Sequence, residues 1–325
     1  MSQSADHILI CPVCRSGDLS ESDATLTCGA CKAVYPVFGG IPSMLRPDSA
    51  VAAREMDRMD FWDQGWVKRS AALKSIDRDG ALRVRAEYET EMQREGYPST
   101  REVTGENAKD KILCNIGCGG GYEGLLFAGY GCQYIGVDFS ANAVRITRDL
   151  TKTAGYEISA YQAEAERLPL QDGTIDIVYT NGVLHHTPNT RQAVEEIKRV
   201  LKDGGEAFIG LYATNSLMFF WYRLHAVFRG NFSRASVQAW LNANTEGEWQ
   251  TEGRSNKLTE TYTRTEFAEL LRESGFEHFT FRQTPLQVRH VPILGKIVRT
   301  IGLKRLTEIR LGPFGGILMA RCIKR

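Results

Sequence analysis

The sequence predicts an α/β chain: a small cysteine-bearing module, then strands and helices that alternate from Lys111 toward the C-terminus. Three observations predict it. Two Cys-x-x-Cys pairs lie near the N-terminus, at Cys11/Cys14 and Cys28/Cys31. A short apolar run, Lys111–Ile116, opens directly into Gly117-Cys118-Gly119-Gly120-Gly121. Beyond it, runs of strand length alternate with segments of helical periodicity, the pattern of βα units.

The chain has 325 residues, enough for one large α/β domain and a small module. Hydrophobic residues make up 42% and charged residues 24%, which argues against a disordered or fibrous chain. Forty Lys/Arg against 39 Asp/Glu leave a net charge of +1, so no global field draws the chain to nucleic acid or to an anionic membrane. No run has the length and apolarity of a membrane span. Met1–Ile10 lacks the basic start and apolar stretch of a signal peptide. The expectation is a cytoplasmic protein whose eight cysteines are thiols or metal ligands.

Cys11-Pro-Val-Cys14 and Cys28-Gly-Ala-Cys31 carry the first chemistry. A Cys-x-x-Cys turn puts two thiolates on one side of an ion, and a second turn supplies the other side of a tetrahedron. Gly17-Asp18 and Ala24–Thr27 between them read as a turn and a short strand, the layout of a zinc ribbon. A redox dithiol would need one pair only. Four protein ligands leave no open position, so the zinc is expected to be structural, and its binding would supply much of the folding energy of so small a module.

From Ala50 to Tyr97 the chain is rich in Ala, Arg, Glu, Met and Leu. Met56, Met59, Phe61, Trp62 and Trp66 lie close to helical spacing, as do Leu82, Tyr88 and Met92 more loosely. Two or three helices are expected, joined near Gly65 and Asp79-Gly80, with Pro98–Asp110 a loop. These aromatics cover a ligand pocket, pack one helix on another, or do both.

Lys111–Ile116 reads as a buried strand and Tyr122 as the start of a helix. Glycine is needed where the backbone turns tightly and meets a ligand closely. Strand, glycine turn and helix N-terminus together form a nucleotide site at the strand's carboxyl end. A dinucleotide site would want glycine or alanine where Tyr122 stands; here the glycines run G-x-G-x-G. The next strand, Gln133–Val137, ends in Asp138, placed to accept hydrogen bonds from ribose hydroxyls. Its bland alternative is a cap for the helix starting at Ser140-Ala141. Then come Glu164–Gly173, the strand Thr174–Thr180 and Asn181-Gly182-Val183-Leu184-His185-His186. Arg191–Leu201 is an amphipathic helix that Lys202-Asp203-Gly204-Gly205 ends with a left-handed cap, and Glu206–Tyr212 is a strand.

From Lys111 to Tyr212 this succession resembles the ubiquinone/menaquinone-type group of class I S-adenosylmethionine-dependent methyltransferases. The first 45 or so residues resemble the ribbon domains fused to, or partnering, several such enzymes. The resemblance implies a Rossmann-like, seven-stranded, mostly parallel sheet with helices on both faces. It implies S-adenosylmethionine as co-substrate, held by Asn115, Gly117, Cys118, Gly119, Gly121, Asp138, Phe139, Glu164, Ala165 and Asn181. Glu164 would face the adenine amino group and the Ala165 amide the ring. Asn115 stands where the family often has an acidic residue, and Asp203 where a proline is usual. The domains expected are 1–46, the ribbon; 47–110, a helical linker or cap; and 111–325, the methyltransferase domain with insertions at about 213–262 and 285–310.

The acceptor end is less defined. Asn215–Phe228 is strongly apolar, which suits a lid over an apolar substrate, a surface that dips into lipid, or a buried helix. Asn231–Tyr262 is polar, contains Trp240 and Trp249, and reads as a long loop of functional size. Thr263–Ser274 reads as a helix, and Phe276–Gln283 and Gly316–Ile323 as the last two strands. Between them Pro285–Arg310 carries six Lys/Arg against Glu308 alone, a solvated face or a patch for an anionic group.

The sulfonium is already electrophilic, so the enzyme supplies alignment and, for a hydroxyl acceptor, a base. His185 and His186, at the strand rim, are the candidates; packing is the competing role. A small-molecule, lipid or glycan acceptor is expected. An RNA acceptor read by the ribbon is the alternative, disfavoured because Met1–Ala50 holds three Lys/Arg against five Asp/Glu. A catalytically dead scaffold is the third reading, and the intact glycines and Asp138 oppose it.

Overall fold

The computed structural model describes residues 8–22, 24–46, 49–73, 75–95, 97, 102–246, 258–287, 300 and 309–325. Its centre is a seven-stranded sheet in the order β10-β13-β9-β8-β5-β6-β7. These are β5 (Ile112–Ile116), β6 (Gln133–Asp138), β7 (Ser159–Gln162), β8 (Ile175–Asn181), β9 (Leu201–Tyr212), β10 (His278–Gln283) and β13 (Ile317–Ile323). β5 to β9 pair in parallel; β13 runs antiparallel to both β9 and β10. Chain order reverses beside β5, so the carboxyl ends of β5, β6 and β8 open on one crevice, where open α/β sheets bind ligands. The short strand β7 carries no strong apolar signal of its own.

Nine helices are described: α1 (Ser49–Arg69), α2 (Arg78–Glu95), α3 (Gly105–Ala108), α4 (Tyr122–Gly129), α5 (Ala141–Ala154), α6 (Thr190–Val200), α7 (Leu217–Phe228), α8 (Arg234–Asn244) and α9 (Arg264–Glu273). They flank the sheet on both sides. Ala193, Val194 and Ile197 of α6 and Phe267 and Leu271 of α9 meet Cys114 and Ile116 of β5 on one face. Leu126 and Phe127 of α4 meet Leu113, Tyr134 and Tyr179 on the other. Alternate β5 side chains therefore feed two cores, as a strand buried on both faces requires.

Local expectations need four corrections. Helix α1 runs unbroken through Gly65, which is buried within it, and Gly80 lies inside the first turn of α2. Pro98–Asp110, expected as a loop, holds α3, opened by a capping box at Thr104 and Asn107. Lys202–Gly205 is not a helix cap: α6 ends at Val200 and extended Leu201 enters β9 at once. Ile175 pairs with Leu201 and Ile177 with Glu206, so the intervening residues bulge. Part of the expected loop at 231–262 is α8, started by a capping box at Ser233 and Ser236. Trp249, the Met56 side chain and most of 285–310 lie outside the described residues; from the last, β11 (Leu286–Gln287) pairs with β12 (Arg310–Gly312).

The N-terminal module is a four-stranded antiparallel sheet: β1 (Leu19–Glu21), β2 (Thr25–Cys28), β3 (Val34–Phe38) and β4 (Ile41–Pro42). Ile8, Leu26, Tyr35 and Met44 join the same core as Val137 of β6 and Leu168 in the loop before β8. Backbone bonds seal the seam: Ile10 N to Pro169 O at 3.0 Å, Gln171 N to Ile8 O at 2.9 Å and Met44 N to Gln162 O at 2.7 Å. Arg15 pairs with Glu196 at 2.7 Å and Arg46 with Glu164 at 2.8 Å. Among the described residues no helix is long and apolar enough to cross a membrane.

Candidate active site

A cavity of about 810 Å³ opens over the carboxyl ends of β5, β6 and β8. Its floor is the glycine turn. Gly117 has φ 78°, and a Cβ there would sit 2.2 Å from Val183. Gly119 has φ 53°, and a Cβ there would sit 2.5 Å from the Trp66 ring. Only glycine lets the backbone take these angles and still lie under a ligand. Gly119 N donates to Asp138 Oδ2 at 3.0 Å and Ser140 N to Asp138 Oδ1 at 2.9 Å. Burial raises the Asp138 carboxyl to about 6, and the backbone N–H groups oppose the rise.

The helical segment forms the roof. Arg58, Trp62 and Trp66 lie at i, i+4 and i+8 along α1 and all face the cavity. Arg58 stands 4.7 Å over the Phe139 ring and donates to His186 O at 3.0 Å. Asp63 Oδ1 accepts from Ser140 Oγ at 2.6 Å and from Asn142 N at 2.9 Å, which ties α1 to the start of α5. Tyr88, Glu91, Met92 and Glu95 follow on one stripe of α2. Tyr88 Oη donates to Glu123 Oε1 at 2.6 Å, and burial pushes the Glu123 carboxyl up. These aromatics thus both pack helices and line the pocket.

Of the residues predicted to hold the cofactor, Gly117, Gly119, Asp138, Phe139, Glu164, Ala165 and Asn181 line this cavity. Three lie below its surface. Asn115 is buried and donates to Tyr134 Oη at 3.0 Å; Cys118 is a buried thiol; Gly121 packs against α5, where a Cβ would meet Thr147 Cα at 2.8 Å.

The histidine pair divides. His186 lines the cavity and His185 does not. His185 is fully buried against the Tyr212 ring, with neither ring nitrogen hydrogen-bonded, and burial pushes its pKa well below the usual value. His186 Nδ1 lies 2.9 Å from Leu258 O, so Nδ1 carries the proton and Nε2 is the basic nitrogen. Burial lowers its pKa, and Glu246, 3.7 Å from Nε2, opposes that.

Glu246, Tyr97, Tyr212, Glu123 and Phe314 also line the cavity and had no motif to announce them. Tyr212 Oη donates to a Glu246 carboxylate oxygen. Glu246 has φ 63°, unusual for a non-glycine residue. Met218, Thr284 and Leu286 complete the outer wall.

In the N-terminal module the ligand atoms of Cys11, Cys14, Cys28 and Cys31 all lie within 4.8 Å of one another. Cys11 and Cys31 Sγ are 3.6 Å apart, and Cys14 and Cys28 Sγ 3.5 Å. A tetrahedral ZnS4 centre with bonds of about 2.3 Å needs sulfurs roughly 3.8 Å apart, so the set fits zinc.

Parts of the chain are similar to known proteins. Residues 114–209 match the methyltransferase domain family. The uncharacterized methyltransferase YcgJ of Bacillus subtilis is 34% identical over 103 residues, 31% of this chain and 41% of that one. Its crystal structure superposes with a TM-score of 0.45 at 19% identity, covering 68% of this chain and 96% of that one. The ubiquinone biosynthesis O-methyltransferase of Burkholderia ambifaria is 36% identical over 110 residues, 32% of this chain and 46% of that one. The probable tRNA methyltransferase 9B of Bos taurus is 28% identical over 131 residues, 39% of this chain and 27% of that one. The chain spans less than half the length of these curated relatives. Residues 114–209, which contain the glycine turn and Asp138, are thus similar to a methyltransferase domain.

Proposed function

We propose that the chain transfers the methyl group of S-adenosylmethionine to a small-molecule, lipid or glycan acceptor, and that a structural zinc holds its N-terminal ribbon. The observation that carries this is the roofed cavity: Trp66 covers the glycine turn, Trp62 lines the cavity beside His186, and the acceptor side is walled by Tyr212, Met218, Leu286 and Phe314. Such a chamber admits a compact group beside the co-substrate.

Asp138 accepts from the ribose hydroxyls, Glu164 faces the adenine amino group, the Ala165 amide meets the ring, and Asn181 marks the reacting end. The buried layer of Asn115, Cys118 and Gly121 shapes the turn from below. His186 is the base; His185 supports it by packing. The donor supplies the electrophilic carbon, so these residues align, desolvate and move a proton. Phe220, Trp221 and Phe228 of α7 are 59%, 53% and 78% exposed, which suits contact with a membrane surface by a cytoplasmic protein.

RNA is the second reading, favoured by the relative named as a probable tRNA methyltransferase. Two of the ribbon's three cations, Arg15 and Arg46, are used in ion pairs with the catalytic sheet's own loops and helix, which weakens it as a phosphate reader. The test is methyl-labelled S-adenosylmethionine with separated RNA, protein, lipid and small-molecule pools. Label in the lipid or small-molecule pool is expected; label in RNA alone overturns the proposal.

A further inference from the structure

Resting on that methyltransferase reading, and making its membrane contact specific, we infer that α7 and the turn after it dock the chain on the surface of an anionic bilayer, so that the cavity mouth faces the lipid.

Helix α7 is apolar on two sides, and among the described residues the chain covers one of them. Phe219 and Ala226 are buried, and Phe219 packs on Tyr212 at 5.1 Å. His225 stands 5.4 Å from Trp240 of α8. The other stripe is Leu217, Phe220, Trp221, Leu224 and Phe228, at i, i+3, i+4, i+7 and i+11. Phe220, Trp221 and Phe228 are exposed, as is Phe232 in the turn that follows. A helix on a protein surface ordinarily turns polar side chains outward; this one turns out phenyl and indole rings. With 12 residues α7 is about 18 Å long, short of the roughly 30 Å of a bilayer core. It therefore lies along an interface rather than across it.

Charge selects the occupant. From Ala207 to Thr245 the chain holds no Asp, Glu or Lys, and its charges are Arg223, Arg229 and Arg234. Arg223 is used inside, donating to Thr214 O and to Thr261 Oγ1, each at 2.8 Å. Arg229 and Arg234 are exposed on either side of Phe232 in the chain. Arg234 also acts on the Glu266 carboxylate, so Arg229 is the cleaner probe. Pro285–Arg310 adds six Lys/Arg against Glu308 alone, and its two ends meet in the β11–β12 pair. In a chain of net charge +1 these two stretches are a local excess of cations. Rings that enter a headgroup layer, with arginines beside them, match an anionic lipid surface.

The same helix is a wall of the cavity. Met218 and Phe314 line the cavity and are also 40% and 48% exposed, so they stand at its mouth. Leu217 N donates to Phe314 O at 3.2 Å, which fixes that mouth beside the first turn of α7. An acceptor dissolved in the bilayer then reaches the cavity without crossing water.

The test is flotation of the full chain with vesicles of phosphatidylcholine alone and of phosphatidylcholine mixed equally with phosphatidylglycerol. Binding to the anionic vesicles is expected to be about ten-fold tighter and to fall with added salt. Phe220→Ser combined with Phe228→Ser should weaken it about ten-fold, and Arg229→Gln about five-fold, with S-adenosylhomocysteine affinity unchanged in both. Vesicles with brominated acyl chains should quench tryptophan emission, and Trp221→Phe should remove most of that quenching. Absence of vesicle binding, equal binding to both compositions, or variants that bind like the parent chain overturn the inference. Quenching that survives Trp221→Phe overturns it too, because another surface then meets the lipid. Should the double variant fail to fold, the Trp221→Phe quenching decides. Failure of S-adenosylhomocysteine to bind, with vesicle binding intact, overturns the methyltransferase reading instead.

Discussion

Asp138 is held between two demands. Its carboxylate organises the glycine turn through Gly119 N and Ser140 N, yet burial raises it to about 6 from an ordinary 3.8. A raised native value means that ionisation opposes folding; the penalty is full above about pH 6 and relaxes as pH falls toward 3.8. Protonation also turns one acceptor oxygen into a donor. Affinity for S-adenosylhomocysteine should therefore weaken as pH drops through about 6, and calorimetry across that interval checks it. Asp138→Ala should lower that affinity about 100-fold, roughly 3 kcal/mol for two charge-assisted hydrogen bonds. His186→Asn should lower methyl transfer about 10²–10³-fold while cofactor affinity holds. His185→Asn should instead lower the melting temperature, because a fully buried ring packed on Tyr212 is replaced. Undiminished transfer by a folded His186→Asn protein would remove the base. Because burial holds the pKa of His186 below the usual histidine value, the acid limb of transfer should lie below the usual histidine range.

At the scale of elements, α1 works as the roof because a stripe at i, i+4 and i+8 aims Arg58, Trp62 and Trp66 one way. Its anchor is Asp63, which completes the N-terminus of α5 from outside through Ser140 and Asn142. A carboxylate there satisfies orphan N–H groups and meets the positive end of the helix. Asp63→Ala should cost about 1 kcal/mol and let α1 open more often. Hydrogen exchange should show faster exchange of α1 amides with β5 and β6 unchanged; unaltered α1 exchange would show that the roof is held by its aromatics alone. Spacing marked Met59, Phe61, Trp62 and Trp66 of α1 but did not tell core from pocket: Trp62 and Trp66 line the cavity, whereas Phe61 is buried away from it.

For the whole molecule, ribbon and large sheet share one apolar core and meet by backbone bonds at 162, 169 and 171, just around the loop that carries Glu164 and Ala165. The module is too small to hold itself without metal. Elemental analysis should find one zinc per chain. Chelation or Cys28→Ser should lower the melting temperature and weaken S-adenosylhomocysteine binding several-fold, because Arg46 leaves Glu164 when the ribbon melts. A metal-free protein with unchanged melting and binding would separate the ribbon from the site.

Local patterns determined most of the chemistry near the sheet's carboxyl ends. The cysteine spacing, the glycine turn, Asp138 one strand later and the order of βα units all depend on neighbours close in sequence, so they can be read there. Distant pairings were decided only by the tertiary structure. Glu246 reaches His186 from an insertion 60 positions further on, Tyr97 comes from the far end of α2, and Arg46 meets Glu164 across 118 positions. None of these has a periodic signal, because each is a single side chain placed by packing. Asn115 and Asn181 show the limit most clearly. Both sit near the ends of parallel neighbouring strands, yet a strand alternates its faces, and only the register of β5 and β8 turned Asn115 toward Tyr134 and left Asn181 at the cavity.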